Sequence, residues 1–470
     1  MSHRDGSVHT TSPLNAQSLR SAFEWLLGGV QTDHIVFRQE ARATPRGLLL
    51  TVLLWVWSGK PTLGRRLDQA QRIAGWLDPA GAGDRVSQQA FMKRLVRWTG
   101  TLIAALAEAL RGRMQTALKS CFDCEGYAVF GVDGSRLELP RTISNEARFS
   151  PASSRTRRNT RRSGKASRQS AASRRKKAQR PQAWITTLWH AGSGLPWDWR
   201  IGPSDSSERA HLLQMIPILP EHALVTADAG FVGYDYWAAL MGSGREFVIR
   251  VGSNVKLLKK LGYAESSRQT VFLWPDKAAK RQQPPLVLRL VVVHDGKQPW
   301  YLVTSLRDPT QFADQQVANV YRLRWGIELY YRHFKQTFER RKLKSHKAEH
   351  AECEAQWCMV GLWALLLHAK VHLHKRHIDP SRLSVAQALD AYRTAMHEFL
   401  MSPEEGESLT DRLSRSVIDD YHRRNKSSRD YPRKKSEAPP GSPQLINATP
   451  KQRTLARQLA RSLEDKRLTA

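Results

Sequence analysis

The chain has 470 residues, 41% of them hydrophobic, which predicts about two to four domains and a sizeable core. Lys and Arg number 74 against 43 Asp and Glu, so the formal net charge of +31 favours a polyanionic partner, nucleic acid before a membrane surface. The longest apolar run, residues 47–57, is too short to span a bilayer, and the N-terminus has no apolar signal core. With only four cysteines, we expect a cytoplasmic, nucleoid-associated protein of prokaryotic type with no membrane partner.

Residues 1–120 are predicted to form a helical domain that binds DNA. Apolar residues recur at helical spacing in five runs, namely 19–27, 48–57, 63–77, 91–98 and 102–118. Thr62 and Ser87 stand where N-caps are expected. The candidate DNA contacts on the outer faces are Arg65, Arg66, Arg72, Lys93, Arg94 and Arg97. A solvated basic face on a structural bundle is the alternative interpretation.

Two acids then follow strand-like runs. Asp133 lies in the run YAVFGVDGSRLEL, and Asp228 ends the short apolar run in HALVTADAGF. An acid at the carboxyl end of a strand is well placed to line a cleft. The alternative for each is a turn former or the N-cap of the next element.

Between these acids, residues 155–180 contain twelve Lys or Arg and no acid. Apolar residues do not recur periodically in this segment. We therefore expect a disordered basic insertion, residues 150–181, in a loop of the core. Such an arm would bind phosphates without sequence preference. Its candidate DNA contacts are Arg157, Arg158, Arg161, Arg162, Arg174, Arg175, Lys176 and Lys177.

After the arm, residues 182–202 predict a hairpin with its turn at Gly192–Gly194, followed by a helix over 206–215, the strand ending at Asp228, and a helix over 234–241. Four strand-like runs follow between 246 and 306. Trp300 lies in this region, where a core position in the sheet is one interpretation, and Trp274 is its competitor for any stacking role.

The stretch from Tyr321 to Lys335, YRLRWGIELYYRHFK, places one acid among cations. On a continuous helix, Tyr321, Arg324, Glu328 and Lys335 would fall within roughly 60° of one face. This stripe suits a surface that faces phosphates, with Arg and Lys on their oxygens. The alternative is an exposed helix with an i,i+4 ion pair between Arg324 and Glu328, and a break at Gly326 would loosen the stripe.

A long helix is predicted over 351–376, and 377–470 reads as a helical C-terminal region with a basic, Pro-rich linker at 422–444. A final helix near 451–465 is a candidate for subunit pairing. Cys121 and Cys124 form a C-x2-C pair that would make zinc ligands only with further partners. His368 and His372 are read as packed or surface histidines of the long helix.

The order Asp133, Asp228, Glu328, with Tyr-x2-Arg-x3-Glu-x6-Lys around the last acid, resembles the DDE transposases of the insertion-sequence-four family. The resemblance covers residues 127–345 well. It implies an α/β fold whose RNase H-like catalytic core, residues 121–245 and 307–376, carries an all-β insertion at 246–306 between the second Asp and the Glu, plus the helical domains at either side.

The resemblance also implies roles for individual residues. Asp133, Asp228 and Glu328 would be catalytic and would bind two Mg²⁺ ions, with Mn²⁺ a possible substitute. Three further residues of the pattern, Tyr321, Arg324 and Lys335, would contact DNA. Trp300 would stack on a flipped base near the cut end, with a core position as its alternative.

The implied function is that of an insertion-sequence transposase. It would bind double-stranded transposon ends and target DNA, act as a homodimer in the synaptic complex, and cut and rejoin DNA through a hairpin intermediate. Two alternatives are an RNase H-like nuclease without strand transfer and a non-catalytic DNA-binding relic.

Overall fold

The computed structural model describes residues 14–37, 43–151, 180–264, 267–294, 298–401, 407–418 and 441–468. Within these ranges the strands form one mixed sheet, which confirms the predicted α/β class. They are β1 (Ala128–Glu138), β2 (Gln182–His190), β3 (Leu195–Gly202), β4 (Ala223–Ala227), β5 (Glu246–Val251), β6 (Lys256–Lys259), β7 (Thr270–Leu273), β8 (Leu286–Val293), β9 (Trp300–Thr304) and β10 (Gln444–Asn447). Their order across the sheet is β10-β6-β7-β8-β9-β5-β4-β1-β2-β3.

Helices precede, interrupt and follow these strands along the chain. In order they are α1 (Leu14–Leu27), α2 (Pro45–Trp57), α3 (Leu63–Leu77), α4 (Pro79–Ala82), α5 (Gln88–Ala117), α6 (Ile143–Phe149), α7 (Glu208–Met215), α8 (Tyr234–Gly242), α9 (Asp276–Lys280), α10 (Asp314–Leu323), α11 (Trp325–Arg332), α12 (Ala348–Lys375), α13 (Val385–Met401), α14 (Leu409–Ser414) and α15 (Pro450–Leu468).

The first helices begin where their caps predict. The hydroxyl of Thr62 accepts a hydrogen bond from Arg65 N, and that of Ser87 accepts one from Ala90 N, so both predicted N-caps are confirmed. The runs 91–98 and 102–118 are not two helices but parts of one helix, α5. The intervening Thr99 is buried, and its hydroxyl accepts a hydrogen bond from the Trp357 indole at 2.8 Å. This packing outweighs the weak helix preference of the residues between the two runs.

Arg66 was expected on an outer basic face, and that prediction is wrong. Its side chain is only 4% exposed, and its Nε donates to Lys60 O at 2.8 Å. Burial, with the nearby charge of Arg340, lowers the pKa of Arg66 to about 10. The Arg66 side chain lies on the buried face of α3, so Arg66 contributes to the packing of the helices.

The centre of the sheet is built from two kinds of pairing. β1, β2 and β3 form an antiparallel meander, whereas β4 pairs in parallel with β1 and β5 in parallel with β4. The predicted hairpin turn at Gly192–Gly194 joins β2 to β3, with Gly194 at φ +68°. The helices predicted over 206–215 and 234–241 are α7 and α8.

The strand-like runs after 246 continue the same sheet. β5 pairs with β4 on one side and with β9 on the other, where Val248 faces Thr304. The sequence pattern missed β6, whose four residues begin and end in Lys. It also missed β10, which begins at Gln444, the last residue of the expected linker, and pairs in parallel with β6. Short edge strands with polar ends carry little alternation to detect.

The predicted single helix from Tyr321 to Lys335 is interrupted. α10 ends at Leu323, α11 begins at Trp325, and a π-helical turn (His333–Thr337) follows. The break lies at Arg324 and not at Gly326. Arg324 keeps helical backbone angles, with φ −51° and ψ −31°. The amides of Arg324 and Ile327 each donate to the carbonyl three residues earlier at 3.1 Å, so the turn between α10 and α11 is tighter than an α-helical turn.

The long helix predicted over 351–376 is confirmed as α12, which lies against α2 and α5. His368 is partly buried with its Nδ1 at 2.6 Å from the Tyr392 hydroxyl, and His372 Nε2 lies 2.9 Å from Ser414 Oγ. Both are packed histidines, as expected. The four cysteines are free thiols. Within the described ranges, every helix is too short or too polar to cross a lipid bilayer.

Candidate active site

Two neighbouring parallel strands carry the first two acids to the same edge of the sheet. Thr226 of β4 faces Gly131 of β1, and Asp228 and Asp133 each lie two residues further along. The two acids are therefore side by side at the point where β4 ends. β1 continues past Asp133 to Glu138, paired with β2, so the prediction that the first strand stops beside Asp133 is wrong. Asp228 also accepts a hydrogen bond from Gly230 N at 2.8 Å, so it caps a short 3-10 turn at the same time.

The Asp133 carboxyl is partly buried and lies near two other acids. Burial raises its pKa to about 6, and the negative charges of Asp228 and Glu328 act in the same direction. A hydrogen bond from the Gly134 backbone and the charge of Arg324 act against this rise. Asp228 and Glu328 are thus both close enough to Asp133 to influence its charge.

Glu328 is held by the arginine one helical turn before it. Arg324 Nη2 donates to Glu328 Oε1 at 3.0 Å, and the Arg324 side chain is only 14% exposed. The Arg324 guanidinium also lies 5.7 Å from the centre of the Tyr321 ring. The ion pair expected for a simple surface helix exists, but it is partly buried beside Asp133.

The break at Arg324 and the glycine after it let this helical region approach the sheet closely. A Cβ on Gly131 would lie 3.7 Å from Arg324 Cα, which shows that the chain at the break passes directly over β1. A Cβ on Gly326 would lie 1.9 Å from the Trp189 ring of β2, so only glycine fits there. Gly326 serves contact between helix and sheet, and it does not end the helix.

Lys335 reaches the same strand from the π-helical turn. Its Nζ donates to Ser135 Oγ at 2.6 Å, two residues beyond Asp133 on β1. Burial lowers the pKa of Lys335, while the charges of Asp133 and Glu138 act to raise it. The ammonium group is therefore placed beside the acids, although the π-helical turn was not predicted.

Tyr321 and Trp300 meet on the other side of the break. Their ring centres are 5.3 Å apart, and the Arg322 guanidinium lies 5.9 Å from the Trp300 ring. Tyr321 is buried, whereas Trp300 is half-buried and keeps part of its ring accessible. Trp274 is buried and donates its indole N–H to Gln283 O at 2.8 Å, so it is a core residue.

Tyr331 is a positioning residue that the sequence analysis did not single out. Its hydroxyl lies 2.9 Å from Asp133 O, 3.2 Å from Ile185 O and 3.0 Å from Thr187 Oγ1. Burial raises its pKa well above the usual value, which keeps the hydroxyl protonated as a donor. The helix of Glu328 is thereby fastened to the strand of Asp133. A buried tyrosine near a candidate acid was the available signal, since its hydroxyl needs a partner.

Glu208 is an acid that sequence reasoning missed. It is the first residue of α7, and its Oε1 lies 1.8 Å from where a Cβ on Gly134 would stand. Burial raises its pKa to about 7, and the charges of Asp133 and Asp228 contribute to that rise. An acid in the first turn of a helix is ordinary, so the sequence carried no signal for this position.

A cationic cavity of about 810 Å³ opens beside Lys335. Two backbone hydrogen bonds of 2.9 Å fix the chain that lines this cavity: Glu138 N donates to Arg341 O, and Leu343 N donates to Glu138 O. They form a parallel bridge between Glu138, the last residue of β1, and Lys342. Five Lys or Arg side chains face one acid there, so the cavity suits an anion. The lining residues are Pro140, Arg141, Lys335, Gln336, Glu339, Arg341, Lys342, Leu343, Lys344 and His346.

The donors available for a metal are carboxylates. Within the part of the chain that the structure describes, no three His, Cys, Asp or Glu side chains stand close enough to form a metal-holding group as they are. Glu328 is engaged by Arg324. The donor chemistry nevertheless fits a hard divalent cation such as Mg²⁺ or Mn²⁺, since partly buried carboxylates beside one another are relieved by such a charge.

The basic arm was predicted to contact DNA, and its candidate residues lie outside the described residues. They are Arg157, Arg158, Arg161, Arg162, Arg174, Arg175, Lys176 and Lys177.

Comparisons with known proteins found one matching family model and similar chains among curated proteins and solved structures. The model of the transposase DDE domain matches residues 126–367, just over half of the chain. The transposase InsG for insertion sequence element IS4 from Escherichia coli strain K12 is 28% identical over 200 residues, which span 40% of this chain and 44% of that relative, less than half its length. Among solved structures, a chain in the cryo-EM structure of the piggyBac transposase synaptic complex with hairpin DNA is similar over 89% of this chain and 80% of that one, at 11% identity and a TM-score of 0.37. By the extent of the family match, the chain belongs to the transposase DDE domain family.

Proposed function

We propose that this chain is an insertion-sequence transposase that binds transposon ends and catalyses DNA cleavage and strand transfer with Asp133, Asp228 and Glu328. The observation that carries the proposal is the placement of these acids. β1 and β4 bring the two Asp side by side, and α11 brings Glu328 close enough to act on the charge of Asp133. Family membership supports a DNA-processing enzyme.

The strand order supports an RNase H-like core, which belongs to this proposal. The segment β3-β2-β1-β4-β5 combines an antiparallel meander with two parallel strands, and α7 connects β3 to β4. β6 to β9 would then be the all-β insertion, which begins after β5 and not at 246, because β5 belongs to the core. The other domains are proposed as residues 1–120 and 377–470, with the second part of the core at 307–376.

Asp133, Asp228 and Glu328 would hold two Mg²⁺ ions, with Mn²⁺ as a substitute. When bound, such ions activate the attacking water or 3′-hydroxyl and stabilise the leaving oxygen. The chain itself positions the ligands: Tyr331 fastens α11 to β1, and Arg324 holds Glu328 beside Asp133. Near the acids, Lys335 would neutralise a phosphate of the bound strand.

DNA would approach over surfaces that flank these acids. The cationic cavity beside Lys335 suits the phosphate backbone of the end being cut. On the other side, the half-buried Trp300 would stack on a displaced base, with Tyr321 packed behind its ring and near the adjoining phosphate. The N-terminal helices and the basic arm would add contacts to double-stranded DNA, and synapsis of two ends would use a homodimer.

The reaction sequence follows from phosphoryl transfer. Water would attack the phosphorus at the element's end and release a 3′-hydroxyl. That hydroxyl would attack the opposite strand, which closes a hairpin and frees the flanking DNA. Water would reopen the hairpin, and the regenerated 3′-hydroxyl would join target DNA.

The decisive experiment is cleavage of a labelled duplex that carries the element's own end, in Mg²⁺, with wild type, Glu328→Ala and Glu221→Ala. Glu221 is the matched control because it is exposed and precedes β4, at the opposite end of that strand from Asp228. We expect nicking followed by a hairpin in wild type and Glu221→Ala, and neither product in Glu328→Ala. Nicking without hairpin or joining would favour the nuclease, and binding without cleavage in Mg²⁺ and Mn²⁺ would favour the relic.

A further inference from the structure

Arg289, on β8, is almost completely buried against the start of α10. Its side chain is 2% exposed, and its Nη2 donates to Phe312 O at 2.8 Å and lies 3.7 Å from Asp314 Oδ1. Its Nε and Nη1 have no hydrogen-bond partner among the described residues. A buried charge with so few partners adds little to stability, so stability alone does not account for an arginine at this position.

A second side chain holds the same end of α10. Gln269 Nε2 donates to Asp314 Oδ2 at 2.6 Å. Gln269 precedes β7 and lies beside Arg289, because its carbonyl oxygen accepts a hydrogen bond from Leu290 N at 2.9 Å. An acid in the first turn of a helix is ordinary, but it needs no partner from a strand. The paired β7 and β8 region therefore fixes the first turn of α10.

The other end of α10 carries Tyr321 to Trp300. Tyr321 lies about 10 Å along the helix axis from Asp314. On β8, Val293 lies about 13 Å beyond Arg289, and Trp300 of β9 is paired with Val293. Helix and strand thus run side by side over similar lengths, and the ring centres of Tyr321 and Trp300 are 5.3 Å apart at their far end.

Between these two ends, α10 contacts the sheet through apolar side chains. The members of this buried cluster from α10, β8 and β9 include Val291, Leu302, Val317 and Val320. Arg289 lies on the same face of β8 as Val291, because alternate residues of a strand share a face. Apolar contacts are non-directional and leave the position of a helix along its axis open. A hydrogen bond from a buried guanidinium requires its acceptor at one place, so Arg289 fixes that position.

We propose that Arg289 is a positioning residue that holds Tyr321 against Trp300 and thereby shapes the surface on which the displaced base stacks. This inference rests on the proposed function for the base. Arg289 lies outside the Tyr-Arg-Glu-Lys pattern and acts through α10. The β-strand insertion thus gains a part in the reaction, because β8 places Trp300 through β9 and Tyr321 through α10.

The test is fluorine NMR of the full chain labelled with 5-fluorotryptophan, without DNA. Trp300→Phe identifies the Trp300 resonance, and Tyr321→Leu shows how it moves when the neighbouring ring is absent. We expect Arg289→Met to move it in the same direction, because α10 is then free to shift. Arg289→Lys, which keeps a donor for Phe312 O, should stay closer to wild type. Arg281→Met is the matched control and should match wild type, since Arg281 is exposed in the connection between β7 and β8.

Cleavage of the element's own end in Mg²⁺ gives a second readout. We expect Arg289→Met to form about 10-fold less hairpin per nicked end, since a base stacked on an aromatic ring contributes about that much. Arg289→Lys should recover part of this ratio, and Arg281→Met should keep it. A general loss of folded protein would lower nicking and hairpin formation together and leave the ratio unchanged.

The outcomes separate this inference from the proposed function. An unmoved Trp300 resonance in a folded Arg289→Met would overturn the inference, and so would an unchanged ratio of hairpin to nick in an active Arg289→Met. A moved resonance together with a lowered ratio would support both proposals. If the resonance moves as expected but wild type does not cleave the element's end, Arg289 still positions the two rings and the transposase reaction falls.

Discussion

The hydroxyl of Tyr331 lies 2.9 Å from the backbone carbonyl oxygen of Asp133, which it reaches across 198 positions of sequence. This hydrogen bond joins the helix that carries Glu328 to the strand that carries Asp133. The spacing of the two acids therefore depends on a buried phenol that has no part in the chemistry.

Replacing Tyr331 by Phe removes this link while keeping the ring. We expect cleavage to fall about 100-fold, because a misplacement of about 1 Å at a catalytic centre has that effect. The backbone carbonyl of Asp133 would lose this hydrogen-bond donor, which should also lower the free energy of unfolding by about 1–3 kcal/mol. Tyr330→Phe is the control, since its hydroxyl contacts only Met359 Sδ, at 3.7 Å, among the described residues. Equal cleavage by both variants would contradict this role.

Gly326→Ala should destabilise the protein by about 1–3 kcal/mol, because its Cβ would overlap the Trp189 ring at 1.9 Å. Thermal melting of Gly326→Ala and Gly112→Ala gives the comparison. Gly112 lies within α5 with open space around its Cβ position, so alanine there should stabilise by up to about 1 kcal/mol. A second change, Trp189→Leu, should recover part of the loss in Gly326→Ala; no recovery would mean that overlap with the ring does not explain the loss.

Lys342→Gln tests whether the cationic cavity holds DNA phosphates. The logarithm of duplex affinity should fall less steeply with the logarithm of salt concentration, by about one unit of slope, since one phosphate contact is lost. Lys277→Gln is the charge-matched control, because Lys277 is exposed on α9 and outside the cavity. Identical salt slopes for both variants would place the DNA elsewhere.

The buried Lys370 makes the stability of the fold depend on pH in the alkaline range. Burial lowers its pKa from 10.5 to about 8, while its Nζ donates to Pro380 O at 3.0 Å. Between those two pH values the unfolded chain binds more protons than the folded chain, so this residue's contribution to stability rises with pH across the window. The unfolding free energy of wild type minus that of Lys370→Met should grow by up to roughly 3 kcal/mol from pH 7.5 to 10.5. Denaturant melts at several pH values measure it, and a flat difference would refute the buried ammonium. Lys375→Met, exposed on the same helix, should show no such growth.

Local patterns in the sequence predicted much of the framework. Caps at Thr62 and Ser87, the hairpin at Gly192–Gly194 and the helix α12 each follow from a few neighbouring residues. Asp228 was placed at a strand end for the same reason, since its apolar run stops just before it. The end of the apolar run at Asp133 misled the prediction, because β1 continues to Glu138 through its pairing with β2.

What escaped prediction depends on contacts between distant segments. The break at Arg324 lies where the helical region passes over Gly131, a contact that the periodicity of residues 321–335 does not reveal. Glu208 gains its position from a glycine many residues earlier, and Arg66 is buried by the way its helices pack. Each of these needs the tertiary fold before it can be recognised.

The pairing of β10 with β6 has a consequence for synthesis. β6 is translated long before β10, so during that interval its outer backbone N–H and C=O groups have no strand beside them. An open strand edge is a template for pairing with another polypeptide. Until residues 444–447 have been translated, the outer edge of β6 therefore remains open to pairing with a strand edge of another polypeptide.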